Sequence, residues 1–160
     1  MHKSTVRITF SNMKFFNRTL VFDFGSSNTI VCEDGKVVFD EPTLVTYWPK
    51  GVANIGNKAL LMRIQINDGT VKPIVNGYVG SYEDFEVYVK AVVKKIVLFP
   101  RLCLKTVVIA IPNDMSGDEN ATACDRAFFE PFRKMGIKDI RTIHRGIAAL
   151  MGATNSNVQN

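Results

Sequence analysis

Asp23-Phe24-Gly25-Ser26-Ser27-Asn28-Thr29 is the stretch whose residue types and spacing could do chemistry. A carboxylate closes an apolar run, a glycine follows, and small hydroxyl and amide residues fill a tight turn. Such a turn can present successive backbone N–H groups to a phosphate oxygen. Gly25 has no side chain to hold a ligand away from the backbone. Ser26, Ser27 and Thr29 add hydroxyl donors and Asn28 an amide. Asp23 repels a phosphate directly, but it can hold a hydrated Mg²⁺ that bridges to one. An ordinary hairpin turn draws on the same residue types, so on these residues alone both readings stand.

Other candidates for chemistry are weaker. The three cysteines, Cys32, Cys103 and Cys124, are far apart and form no CxxC pair, and the two histidines, His2 and His144, lie far from them in sequence. This argues against a zinc site or a disulfide framework and for reduced, partly buried thiols. His144 has no neighbouring carboxylate in sequence and is given no catalytic role.

The elements that must position the loop follow from pattern. Thr19–Phe24 reads as a buried strand, Thr29–Cys32 as a second and Lys36–Phe39 as a third, with Glu33-Asp34-Gly35 as the hairpin turn between the last two. Thr43–Tyr47 reads as another short strand. Asn57–Met62 reads as a short helix capped by Asn57, and residues 63–79 as irregular. Ser81–Val97 is an amphipathic helix with Phe85, Val89, Val92, Val93, Ile96 and Val97 on one face. Ser81 caps it, acids open it, Lys94 and Lys95 close it, and Pro100 follows its end. Thr106–Ile111 is a continuously apolar strand, expected to be central and covered on both faces. Ser116–Met135 is a second long helix with a stripe of Ala121, Cys124, Phe128 and Phe132, bent or interrupted at Pro131. Ile140–Ile143 is a last strand and Gly146–Met151 a short helix. This order predicts an α/β fold: a ribonuclease-H-like mixed sheet flanked by helices, with a small inserted subdomain.

The chain has 160 residues, 46% apolar and 22% charged, with a net charge of +5. That is one domain's worth of sequence with an ordinary core. No apolar run approaches the roughly 18–20 residues that span a bilayer. Residues 1–20 lack the pattern of a signal peptide, so the default compartment is the cytoplasm. Lys3, Arg7, Lys14 and Arg18 precede every acid. A basic patch of this kind suits a phosphate-rich partner or a solvated terminus, and the solvated terminus is preferred.

The loop Asp23–Thr29 (DFGSSNT) is similar to the phosphate-1 motif of the MreB family of bacterial actin homologues, there of the form DLGTANT. That family lies within the actin, Hsp70 and sugar-kinase superfamily. The resemblance continues in Glu41-Pro42-Thr43, Ile55–Ala59 (IGNKA), Lys72–Val79 (KPIVNGYV), Val108–Pro112 (VIAIP) and Ile147–Ala153 (IAALMGA). Order and spacing match from about Thr19 to Ala153. The resemblance implies the N-terminal half of an actin-like ATPase domain. Residues 19–153 would form subdomain IA, with a IB insertion at about 42–75, between a basic segment 1–18 and a polar, frayed tail 154–160.

In that family ATP lies between two halves, and the first supplies the phosphate-1 loop plus a catalytic glutamate on the helix after the VxxP strand. Glu119 falls at that position here. Its implied role is to position the water that attacks the γ-phosphate, although a solvated acid favoured by the helix dipole is the preferred reading. Two departures bear on this. The family continues beyond the point matched by Asn160 into a connecting strand, a second phosphate loop and the adenosine site, so an incomplete ATP site is expected. The family's Glu-Glu-Pro is here His144-Arg145-Gly146, which removes acids and adds a base.

The resemblance implies a truncated, cell-shape cytoskeletal protein that associates with full-length MreB filaments or cell-elongation proteins. A heterologous head-to-tail contact would let such a chain cap one filament face. A second reading is an ATPase, binding ATP and Mg²⁺, completed by another half or by a self-dimer. A third is a ribonuclease-H-like nuclease, which needs carboxylates clustered around two metal ions. Asp23 fits, but Thr106–Ile111 is followed by no acid until Asp114, so nucleic acid is not expected as a partner. A fourth is contact with a membrane surface through the basic N-terminal segment, where Phe10, Met13, Phe15 and Phe16 lie among cations. There, Thr5–Phe10 is read as an extra strand.

Overall fold

The computed structural model describes residues 17–47, 53–66, 69–112 and 119–156. Strand β1 (Arg18–Phe24) is the axis of the sheet. Successive strand side chains point to opposite faces, and Leu20, Phe22 and Phe24 are fully buried on one of them. β1 pairs antiparallel with β2 (Asn28–Glu33) and parallel with β9 (Leu104–Ile111). β2 turns through Asp34 and Gly35, at φ 49° and 75°, into β3 (Lys36–Pro42). Positive φ at both central residues is what a tight, strand-matched hairpin needs. β10 (Asp139–His144) completes the five-stranded order β10-β9-β1-β2-β3. The expected mixed α/β sheet is therefore present, with its antiparallel meander on one side of β1 and its parallel strands on the other.

Between β3 and the first long helix lie short elements. β4 (Val45–Thr46), β5 (Asn54–Ile55) and β6 (Thr70–Val71) form a small sheet in the order β5-β4-β6. Helix α1 (Gly56–Ile66) packs beside it, and β7 (Ile74–Val75) with β8 (Tyr78–Val79) makes a hairpin. The stretch read as irregular thus holds the end of α1 and three short strands. The helix start also differs from expectation. Asn57 lies inside α1, and its N–H donates to Glu41 Oε2 at 3.2 Å. A carboxylate distant in sequence does the capping, which local pattern cannot reveal. Lys95 binds the other oxygen of Glu41.

Helix α2 (Tyr82–Ile96) has the predicted cap, Asp84 N–H donating to Ser81 Oγ at 3.3 Å. Phe85, Val89, Val92 and Val93 are buried, and Tyr88 joins them. Pro100 does more than follow the helix: it opens a short helix, α3 (Pro100–Cys103), as N-terminal prolines can. Helix α4 (Glu119–Lys134) runs through Pro131 without interruption. Proline there removes one backbone donor from the helix, which ends three residues later at Lys134. Helix α5 (Arg145–Ser156) is longer than predicted and takes in the first residues of the tail expected to fray. The readings for residues 1–16, including the Thr5–Phe10 strand and the lipid-facing aromatics, lie outside the described residues.

The core is aromatic. The Phe24 ring lies 5.0 Å from Phe85, 5.2 Å from Phe22 and 6.1 Å from Phe128, centroid to centroid. Phe132 packs on Phe22 at 5.0 Å. Helices α2 and α4 thus cover the same sheet face. Glu86 ties them together by accepting from Lys134 and Lys90, whose hydrogen bonds hold its carboxyl down at about 2. On the other face Thr19, Val21 and Ile30 are exposed and Val108 is half-buried. β9 is central, as its apolar run predicts, but its two faces are not equally covered.

Arg18 is the first residue of β1. Its guanidinium forks onto Glu33 at 2.6 and 2.7 Å and reaches the Ile96 carbonyl at 3.1 Å. The hydrogen bonds from Arg18 hold the Glu33 carboxyl below the usual carboxylate range. Cys103 is buried and Cys32 half-buried, both as free thiols.

Candidate phosphate-binding loop

The loop between β1 and β2 is held from beneath by hydroxyls. Gly25 N–H donates to the Asn28 carbonyl at 3.0 Å, closing the turn. A Cβ on Gly25 would sit 2.6 Å from that same carbonyl oxygen, so the turn is open only to glycine. Thr43, fully buried, donates its hydroxyl to the Gly25 carbonyl at 2.7 Å and shares a 2.9 Å hydrogen bond with the Thr29 hydroxyl. Its own N–H donates to the Ser27 carbonyl at 2.8 Å. The buried Tyr88 hydroxyl faces this threonine pair without completing a hydrogen bond, and burial pushes its phenol up to about 12.

The outer surface of the loop is open. Ser27 and Asn28 are exposed, and the N–H groups of Ser26 and Ser27 have no acceptor among the described residues. The Asn28 side chain donates to Asp40 at 2.9 Å. Ser26 Oγ accepts from Gly77 N–H at 2.9 Å, which anchors the β7–β8 turn against the loop. Of the donors read from sequence, the Thr29 hydroxyl is turned inward to Thr43, while Gly25, Ser26, Ser27 and Asn28 shape the outer turn.

Asp23 has an unexpected partner. Arg145, first residue of α5, donates through Nε to Asp23 Oδ1 at 2.8 Å and through Nη2 to the Phe24 carbonyl at 2.5 Å. The pair is half open to solvent, the Asp23 side chain 50% exposed and that of Arg145 28%. The strand β10 delivers α5 beside the end of β1, so residues 122 positions apart meet. Next to Arg145, His144 Nδ1 is buried without a hydrogen-bond partner among the described residues. Glu119 opens α4, and its side chain lies outside the described residues.

A family model described as MreB/Mbl protein matches residues 17–160. The chain belongs to the MreB/Mbl family. Curated protein sequences give no match. Solved structures share the fold. MreB5 of Spiroplasma citri bound to AMPPNP is 19% identical with a TM-score of 0.68, over 86% of this chain and 41% of that one. The ADP-bound form of MreB5 is 19% identical with a TM-score of 0.63, over 80% and 38%. A MamK double helical filament is 20% identical with a TM-score of 0.62, over 80% and 41%. This MreB/Mbl chain therefore spans about two fifths of the length of the actin-like proteins it resembles.

Three residues that shape the loop of this MreB/Mbl chain belong to no local binding motif. Thr43 and Gly77 fall inside segments that carry the family resemblance, and Asn76-Gly77 is also a turn signal. Arg145 is visible in sequence only as a base where the family has acids. The amides at Ser26 and Ser27, without an acceptor among the described residues, suit a phosphate oxygen. Mg²⁺ is less well served. Asp23 is the one carboxylate in the loop and Arg145 already holds it. Among the described residues no three His, Cys, Asp or Glu side chains gather as a metal site.

Proposed function

We propose that this chain acts in an actin-like cytoskeleton by associating with filaments of its own family, and that its β1–β2 loop is one wall of an ATP site these 160 residues do not close. The observation that carries this is the open loop: Ser27 and Asn28 are exposed, and the Ser26 and Ser27 amides, without an acceptor among the described residues, are set on a buried threonine brace. The fold shared with nucleotide-bound MreB5 and with filamentous MamK supports both parts of the reading. Gly25, Ser26, Ser27, Asn28 and Thr29 form the phosphate side, and Glu119 would position a water once an opposing half is present. Mg²⁺ at Asp23 would require Arg145 to leave. Full-length MreB filaments and cell-elongation proteins are the partners this reading names. A cytoplasmic position, with residues 1–18 near a membrane surface, goes with it.

The exposed sheet face at Thr19, Val21 and Ile30 favours one further reading, in which a second half or another copy of this chain completes an ATP-binding protein. The nuclease reading finds no cluster of acids among the described residues. Sedimentation with preformed filaments of a full-length MreB tests the main proposal. The chain is expected in the pellet in a saturable amount. Its staying in the supernatant at high concentration would overturn filament association.

A further inference from the structure

We propose that Arg145 is a built-in cation that holds the Asp23 carboxylate and keeps a divalent metal off the loop. A phosphate arriving there would meet a fixed guanidinium in place of a bridging metal. This role is independent of filament association, and its test needs no nucleotide.

Three observations support it. The first is the double anchorage of Arg145, on the Asp23 carboxylate and on the Phe24 carbonyl. A guanidinium with a planar fork and a permanent charge suits both acceptors at once. An incoming metal ion would have to break both bonds and would still face a positive charge nearby.

The second is that the position of Arg145 is built by three separate parts of the fold. Asp23 and Phe24 end β1, Arg145 starts α5, and the β7–β8 turn closes the third side. A Cβ on Gly77 would lie 3.4 Å from Arg145 Nη1. Gly77 sits at φ 87°, where side chains are strained, so the turn offers the arginine a bare backbone wall. The same Gly77 donates its N–H to Ser26, so loop, turn and arginine are braced together.

The third is the charge inventory. Asp40, tied to the loop by the Asn28 amide, is already engaged. Among the described residues Asp23 has one cationic partner and gathers no carboxylates with which to share a metal. Hard divalent cations bind through several oxygen ligands, commonly carboxylates, so displacing the arginine would gain one ligand and lose two hydrogen bonds.

The test is a Mn²⁺ titration of the ¹⁵N-labelled full chain, read as paramagnetic broadening of the Gly25, Ser26 and Ser27 amide signals. In the wild type these signals are expected to broaden no more than exposed amides elsewhere. In Arg145→Gln they should broaden selectively, at about tenfold lower Mn²⁺ than in the wild type, since removing a neighbouring cation favours another. Adding Asp23→Asn should abolish the selectivity. Equal broadening in wild type and Arg145→Gln, or none in Arg145→Gln, would overturn the proposal. Selective broadening in the wild type at submillimolar Mn²⁺ would do so without any variant. Arg145→Lys, which keeps the charge but lacks the fork, should fall between the two and serves if the glutamine variant folds poorly.

Discussion

Phe24→Ala is expected to lower the unfolding free energy by about 3–5 kcal/mol. Phe24 is fully buried and its ring meets Phe22, Phe85, Phe128 and Phe132. Truncation removes the shared contact of β1, α2 and α4 and leaves a cavity that rigid aromatic neighbours cannot collapse to fill. A domain of this size is commonly stable by about 5–15 kcal/mol, so the variant should be close to unfolding. Because Phe24 lies between Asp23 and Gly25, the loop should loosen as well. Urea unfolding checks this through a large fall in midpoint with the slope little changed. A loss under about 1 kcal/mol would mean that the aromatic cluster is not the centre of the core.

Thr43→Val should lower stability by about 1–3 kcal/mol while barely changing side-chain volume. The substitution removes the hydroxyl that donates to the Gly25 carbonyl and pairs with Thr29, both beneath the loop. Valine fills the space and offers no hydrogen bond, so the buried Thr29 hydroxyl and the carbonyl lose a partner. Thr29→Val should act through the same bond. The double variant should therefore lose less than the sum of the two, by about 0.5 kcal/mol or more. Strict additivity in chemical denaturation would show that the two hydroxyls do not act as a unit.

Much of the framework can be read from local pattern. The Asp34-Gly35 turn between alternating runs specifies the β2–β3 hairpin. The spacing of Phe85, Val89, Val92 and Val93, with Ser81 before them, specifies α2. The meander followed by alternating helices and strands gives the mixed sheet. The parts that escape reading are made through space. Glu41 caps α1 from another element, so local pattern points to Asn57 and is wrong. The unequal cover of β9 depends on where α2 and α4 land, which its apolar run does not encode. Pro131 looks like a break until its place in the last turn of α4 is known.

At the loop the division is the same. The tight turn is legible in Gly25 and its small polar neighbours. Its brace is not, because Thr43 follows a strand end and carries no motif of its own. The Asp23–Arg145 pair is the hardest to foresee. It joins the end of β1 to the start of α5, and only the parallel placement of β9 and β10 brings them together.

The amides at Ser26 and Ser27, on the central claim, form one wall of a nucleotide site that this chain does not complete. Isothermal titration of the 160-residue chain with ATP, with and without Mg²⁺, tests it most directly. No saturable heat is expected in either condition at ligand concentrations up to about 1 mM. Saturable micromolar binding by the chain alone would contradict the claim.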